Sequence, residues 1–249
     1  MRYGICPISI APLRSETSDA SEMRSQVLYG ELFKIVESRK KWSKIRLAHD
    51  NYEGWIDNKQ FQEIEAEEYH HLLKQDHYYA KDLIAHLTHK DHTLSTITIG
   101  AQVSSSNFLH DLFPIDSAKI NLNKSQLINN ALLFLNTPYL WGGRTPLGID
   151  CSGFTQLIYR LNGFDLLRDA NEQATQGEAL SFIEESEPGD LAFFDNPEGR
   201  ITHVGIIMSD NYIIHAHGKV RMDRLDQSGI FHLEKNIHTH KLRVIKKII

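Results

Sequence analysis

YLWGGRTPLGIDCSGFTQLIYRLNGF, residues 139–164, passes from a glycine-rich irregular approach into an apolar helical pattern. Asp150 stands where a helix N-cap is wanted and Gly163 where a helix stops. Between them lies Cys151, in the first helical turn. Amide N–H groups and the positive end of the helix dipole favour thiolate there, a device that lowers a cysteine pKa from about 8.5 to below about 7.5. A small buried apolar cysteine is the common alternative. A loop-to-helix junction flanked by Asp150, Ser152 and Gly153 suits that use poorly.

Working outward, NKSQLINNALLFLNTPY (123–139) carries apolar residues at helical spacing, with Pro138 as the stop. Downstream, GDLAFF, THVGIIM, YIIHAH and KVRMDRL read as four strands separated by turn residues. Helices beside an antiparallel sheet predict an α+β domain over residues 119–249. A thiolate nucleophile needs a base, and His is the usual one near neutral pH. His203 and His215 lie on consecutive strand runs joined by a turn at 209–211. Folding at residue 209 sets them nearly side by side on neighbouring strands, within about one register step. His203 is then the partner of Cys151 and His215 the group that orients the His203 ring. The Cys151 N–H would contribute to an oxyanion site.

Ahead of this domain, SQVLYGELFKIVES, WSKIRLA and YEGWIDNKQFQEI give short alternating runs between polar turns, a small antiparallel barrel over residues 1–64. TLSTITIGAQV leads to the expectation of a second, poorer barrel over 65–118. Cys6 reads as a passive barrel residue and Glu31 as an exposed turn carboxylate.

Composition narrows the function classes. The chain has 249 residues, 41% hydrophobic and 24% charged, with a net charge of −5. No basic run exceeds RKKWSK, so nucleic acid is not an expected partner. No segment has the roughly 18 apolar residues of a membrane span. The two cysteines fall in no CxxC pattern, and the histidines between His77 and His92 lack ligand spacing, so neither a cofactor nor a metal is expected. MRYGICPISIAPLRSETSDASE has no apolar core, and the cytoplasm is the expected location, or the periplasm or wall if a leader has been removed. Oligomeric state is left open.

YLWGGRTPLGIDCSGF, RDANEQ, PGDLAFF, HVGIIM and HAHGKVR, in this order, resemble the NlpC/P60 cell-wall cysteine peptidases. The resemblance implies a papain-like core, a Cys-His-His triad at Cys151, His203 and His215, and a supporting Tyr139. With two barrels ahead of it, the whole resembles the YkfC-like γ-D-glutamyl-L-diamino acid endopeptidases with bacterial SH3-type domains. That subgroup implies a murein peptide substrate with a free N-terminal L-alanine, a pocket walled by Tyr52, and an ammonium site at Asp150 and Ser152. Ala170 and His217 depart from the family pattern, where Ser and a small residue are usual. Two other readings stay open: a wall-remodelling D,L-endopeptidase acting on intact peptidoglycan, and a catalytically inactive wall-binding module. A carboxylate beside Cys151 should raise the thiol pKa unless a positive charge offsets it.

Overall fold

The computed structural model describes residues 1–113 and 124–249, which form two compact units. The expected boundary near residue 119 lies outside the described residues. The first unit comprises residues 1–120 with 141–146, and the second residues 121–140 with 147–249.

In the first unit, β1 (Arg2–Ile5), β2 (Ile10–Arg14), β3 (Met23–Leu28), β4 (Leu32–Ser38), β5 (Trp42–Leu47), β6 (Glu53–Asp57) and β7 (Gln62–Ile64) form one sheet in the order β3-β2-β6-β5-β4-β1-β7. Alternation along WSKIRL turns Ser43, Ile45 and Leu47 inward. The core holds Cys6, Ala11, Leu13, Val27, Phe33, Ile35, Ile45, Leu47 and Ile56. Cys6 is thus the passive barrel residue expected.

The second barrel expected over 65–118 does not form among the described residues. In its place stand α1 (Ala66–Lys74) and a two-stranded sheet of β8 (Ile84–Thr88) and β9 (Leu94–Thr98). Glu65 and Glu68 close a capping box at the start of α1, and Tyr69 and Leu72 bury its inner face. These local signals outweigh the strand reading.

Residues 141–146, including β10 (Arg144–Thr145), pack with this unit although they interrupt the second in sequence. The Trp141 indole N–H donates to Glu22 at 2.7 Å, and Arg144 N–H to the Gln26 side chain at 2.7 Å. Gly142 has φ +76°, and a Cβ there would lie 2.3 Å from the Met23 carbonyl oxygen, so only glycine fits. Glu31 corrects the exposed-turn reading. It is fully buried, and both its oxygens take Arg144 guanidinium bonds of 3.0 Å.

The second unit holds α2 (Lys124–Leu132), β11 (Gly148–Ile149), α3 (Cys151–Leu161), α4 (Ala170–Gln173) and β12 (Glu178–Leu180). Its sheet continues through β13 (Leu191–Asp195), β14 (Ile201–Met208), β15 (Tyr212–His217), β16 (Lys219–Asp226), β17 (Gly229–His232) and β18 (Ile237–Lys247). The strand order is β12-β18-β13-β14-β15-β16-β17, and β18 also pairs with β17, so β13 to β18 close on themselves. Ala192, Phe194, Ile207, Ile213, Leu225, Ile230 and Ile245 fill the interior. The four predicted strands are β13 to β16; β17 and β18 were not predicted. Against this sheet lies α3, buried from Cys151 to Arg160 and touched by Phe134, whose ring is 5.9 Å from that of Phe154. Gly163, at φ +85°, ends the helix as expected.

Candidate active site

Cys151 is the first residue of α3, and the Asp150 carboxylate caps the helix by accepting the Gly153 N–H at 2.6 Å. The thiol lies against the backbone of β14, 4.0 Å from the Thr202 carbonyl oxygen, with Val204 N–H also acting on it. These two residues flank His203. The nucleophile candidate and the base candidate are therefore brought to one point of β14.

His203 and His215 also come together, but diagonally. The turn between their strands pairs Ile206 with Ile214 and Ile207 with Ile213, and continuing that register sets His215 opposite Gly205, two residues from His203. Folding is thus centred one residue beyond the predicted 209. Gly205 makes the diagonal possible: a Cβ there would stand 2.9 Å from the His215 Cβ. His203 Nε2 and His215 Nδ1 are 2.8 Å apart, and their rings meet edge on.

A fourth residue, absent from the sequence reading, completes this line. His215 Nε2 lies 3.1 Å from Asp223, whose carboxylate also accepts Arg221 bonds of 2.6 and 2.9 Å and the Leu233 N–H. Burial works to raise the Asp223 carboxyl, but the bonds from His215 and Arg221 overcome it and hold it well below the usual carboxylate range. An ionised Asp223 accepts from His215 Nε2–H, which leaves His215 Nδ1 as an acceptor. His203 must then donate from Nε2, and its lone pair falls on Nδ1. The relay thus sets the base in the tautomer that can take a proton. Asp223 had a signal in KVRMDRL: two residues beyond the partner of His215 on a facing strand is its diagonal neighbour.

Electrostatics differ from the expectation of a lowered thiol. Burial first, then the Asp150 charge, push Cys151 up to about 12, against Arg168 and the Val204 and Ser152 N–H groups. Burial, then His215, His240 and His217, hold His203 well below its ordinary value. Both shifts favour the uncharged forms, because burial outweighs the helix terminus here. The Asp150 carboxylate does meet a cation. Arg168 bonds both Asp150 oxygens at 3.0 and 2.6 Å and Ser152 Oγ at 3.0 Å.

Tyr139 takes its place through a backbone bond to Gly218 and a bridge to Ile149. Burial, then Cys151 and Asp150, raise its phenol, which remains a proton donor. Gln173 bonds the Ser152 and Leu167 carbonyls, tying the first turn of α3 to the loop before α4. His240, on the unpredicted β18, stacks on the His203 ring with centroids 4.3 Å apart. His217 is exposed, with its ring 4.7 Å from that of His240. Tyr52 belongs to the first unit, packed against the barrel core with the Arg24 guanidinium 5.2 Å from its ring centre.

Residues 136–237 match the NlpC/P60 family, and residues 13–61 match the bacterial dipeptidyl-peptidase Sh3 domain. The gamma-D-glutamyl-L-lysine dipeptidyl-peptidase of Bacillus subtilis is 27% identical over 78% of this chain and 72% of its own length. Dipeptidyl-peptidase 6 of Lysinibacillus sphaericus is 26% identical over 88% of this chain and 90% of its own. The crystal structure of an NlpC/P60 family protein from Bacillus cereus superimposes with a TM-score of 0.79, covering 99% of each chain at 19% identity. That likeness establishes a shared fold.

Proposed function

We propose that this chain, a cysteine peptidase with an NlpC/P60 domain behind a bacterial dipeptidyl-peptidase SH3 domain, hydrolyses the γ-D-glutamyl-L-diamino acid bond of murein peptides with a free N-terminal L-alanine. The observation that carries this reading is the relay from Asp223 through His215 to His203, which ends where the Cys151 thiol lies.

In this reading Cys151 Sγ attacks the γ-carbonyl carbon while its proton passes to His203 Nδ1, so charge develops only as the bond forms. The oxyanion is stabilised by the Cys151 N–H at the start of α3. Collapse breaks the C–N bond, and the departing amine takes the proton from His203. Water, giving its proton to His203, then cleaves the thioester and restores the thiol. His215 and Asp223 hold the base in one tautomer throughout.

Tyr139, Asp150 and Ser152 are assigned to the substrate; Tyr52 joins them only as the resemblance implies. The Asp150 carboxylate is the counter-charge for the L-alanine ammonium, and Arg168 keeps it oriented. A free-amine requirement fits recycling of wall fragments in the cytoplasm.

Mass-spectrometric product analysis with L-Ala-γ-D-Glu-meso-diaminopimelate, its N-acetylated analogue and the Cys151→Ala protein tests this. Cleavage of the free-amine peptide alone, lost in Cys151→Ala, is the expected result. Cleavage of both peptides would remove the ammonium site and the recycling role. Cleavage of intact wall alone would favour a remodelling enzyme, and none at all a binding module.

A further inference from the structure

The His203 ring has a companion that the relay does not use. His240 stacks on it with centroids 4.3 Å apart and planes 25° from parallel, whereas Phe194 and His215 approach at 5.8 and 5.0 Å, tilted or edge on. His215 serves the relay and Phe194 the interior of the sheet. His240 has no part in either. Its ring is half-buried, and its Nδ1 lies 2.8 Å from Thr239 Oγ1, a contact that fixes the ring plane.

A β-bulge aims this ring. Ile230 pairs with His240 but Phe231 with His238, so Thr239 is an extra residue on β18. The exposed His238 can then turn outward beside the Phe231 ring, while His240 turns inward with Ile230. Leu242, two residues on, shares the side of His240; it pairs with Phe194, and Phe194 pairs with His203. His240 therefore stands on the face that carries the base. Facing it are Phe194 on β13, His203 on β14, and His215 and His217 on β15, with Asp223 on β16 and His232 on β17 acting on its charge. Burial, then His215 and His217, lower His240 to about 4, which favours the uncharged ring near pH 7.

We propose that His240 is a positioning residue for the reaction: its ring is a plate that holds the His203 imidazole in place and stabilises the imidazolium formed when His203 takes the Cys151 proton. An uncharged aromatic face over a cation attracts it through the ring quadrupole, and the attraction grows where water is excluded. His203 is only 6% exposed, so its imidazolium has little water to turn to. The stack favours the charged form over the neutral one, and it therefore acts on the step and leaves substrate binding alone. The proposal rests on the reading of His203 as the base and deepens it.

The test compares His240→Leu and His240→Gln, which remove the ring, with His240→Phe, which keeps an aromatic face. On L-Ala-γ-D-Glu-meso-diaminopimelate the two ringless variants should lose about fivefold or more in kcat with KM unchanged, and His240→Phe should stay within about twofold of the wild type. His240→Gln retains a polar partner for Thr239, so a ringless variant that melts at the wild-type temperature is available even if His240→Leu folds poorly. Such a variant with wild-type kcat overturns the proposal, as does a His240→Phe protein that loses as much as the ringless ones. A rise in KM alone also overturns it, because His240 would then touch substrate. Alkylation of Cys151 by iodoacetamide at pH 7 separates this proposal from the substrate reading, since it needs the thiol proton to leave but no peptide. If the wild type does not cut the peptide, the substrate reading falls. A slower alkylation in the ringless variants, restored in His240→Phe, still upholds the stack, and equal rates in all four proteins overturn it.

Discussion

At the residue scale, the neutral thiol is the departure with the clearest consequence. A cysteine at a helix N-terminus invites the reading of a pre-formed thiolate, but Cys151 is buried beside an acidic residue and its thiol is pushed up to about 12. The sign is direct: raising a thiol reduces the thiolate present at any lower pH. Alkylation of Cys151 by iodoacetamide at pH 7 should be at least about tenfold slower than that of a free cysteine and should accelerate continuously towards pH 10. Fast, pH-independent alkylation would mean that His203 holds the proton at rest. Cys151, His203 and His215 were legible because a cap, a strand and a turn are local signals. Asp223 and His240 were not singled out, because each meets the relay through strand pairing that one segment does not record.

At the element scale, the hairpin of β14 and β15 sets the spacing of the two histidines, and Gly205 is its narrowest point. In Gly205→Ala the new methyl would stand 2.8 Å from Ile213 Cδ1 and 2.9 Å from the His215 Cβ. Overpacking of this kind costs about 1–3 kcal/mol. Urea denaturation is expected to show that loss, together with a fall in kcat as His215 is displaced from His203. Wild-type stability and rate in this variant would refute the argument. β18 escaped the sequence reading because its pattern of exposure, mixed rather than alternating, offers no period of two. The α1 segment shows the converse: a capping box declared a helix that the run of histidines and tyrosines obscured.

At the scale of the whole molecule, residues 141–146 belong in sequence to the catalytic domain and in packing to the first unit. Arg144 and Glu31 are both completely buried, and breaking such a pair by removing one partner costs about 3–5 kcal/mol. Arg144→Ala is therefore expected to destabilise the first unit by about that amount in chemical denaturation, and Arg144→Lys to recover only part of it, since an ammonium lacks the two-pronged geometry. A change below about 1 kcal/mol for Arg144→Ala would show that the pair contributes little.

The sequence by itself determined the α+β domain, the first barrel, the cysteine on its capped helix and the two histidines. Each of these is written in residues close together along the chain, through caps, periodicity and turns. Only the tertiary structure decided the helix and hairpin in place of a second barrel, the burial of Glu31 on Arg144, the pairing of Asp150 with Arg168, the Asp223 end of the relay and the burial that raises the thiol. Those depend on which groups meet across long separations and on how much water is excluded when they do. Desolvation and strand register are properties of the folded whole, and no single segment carries them.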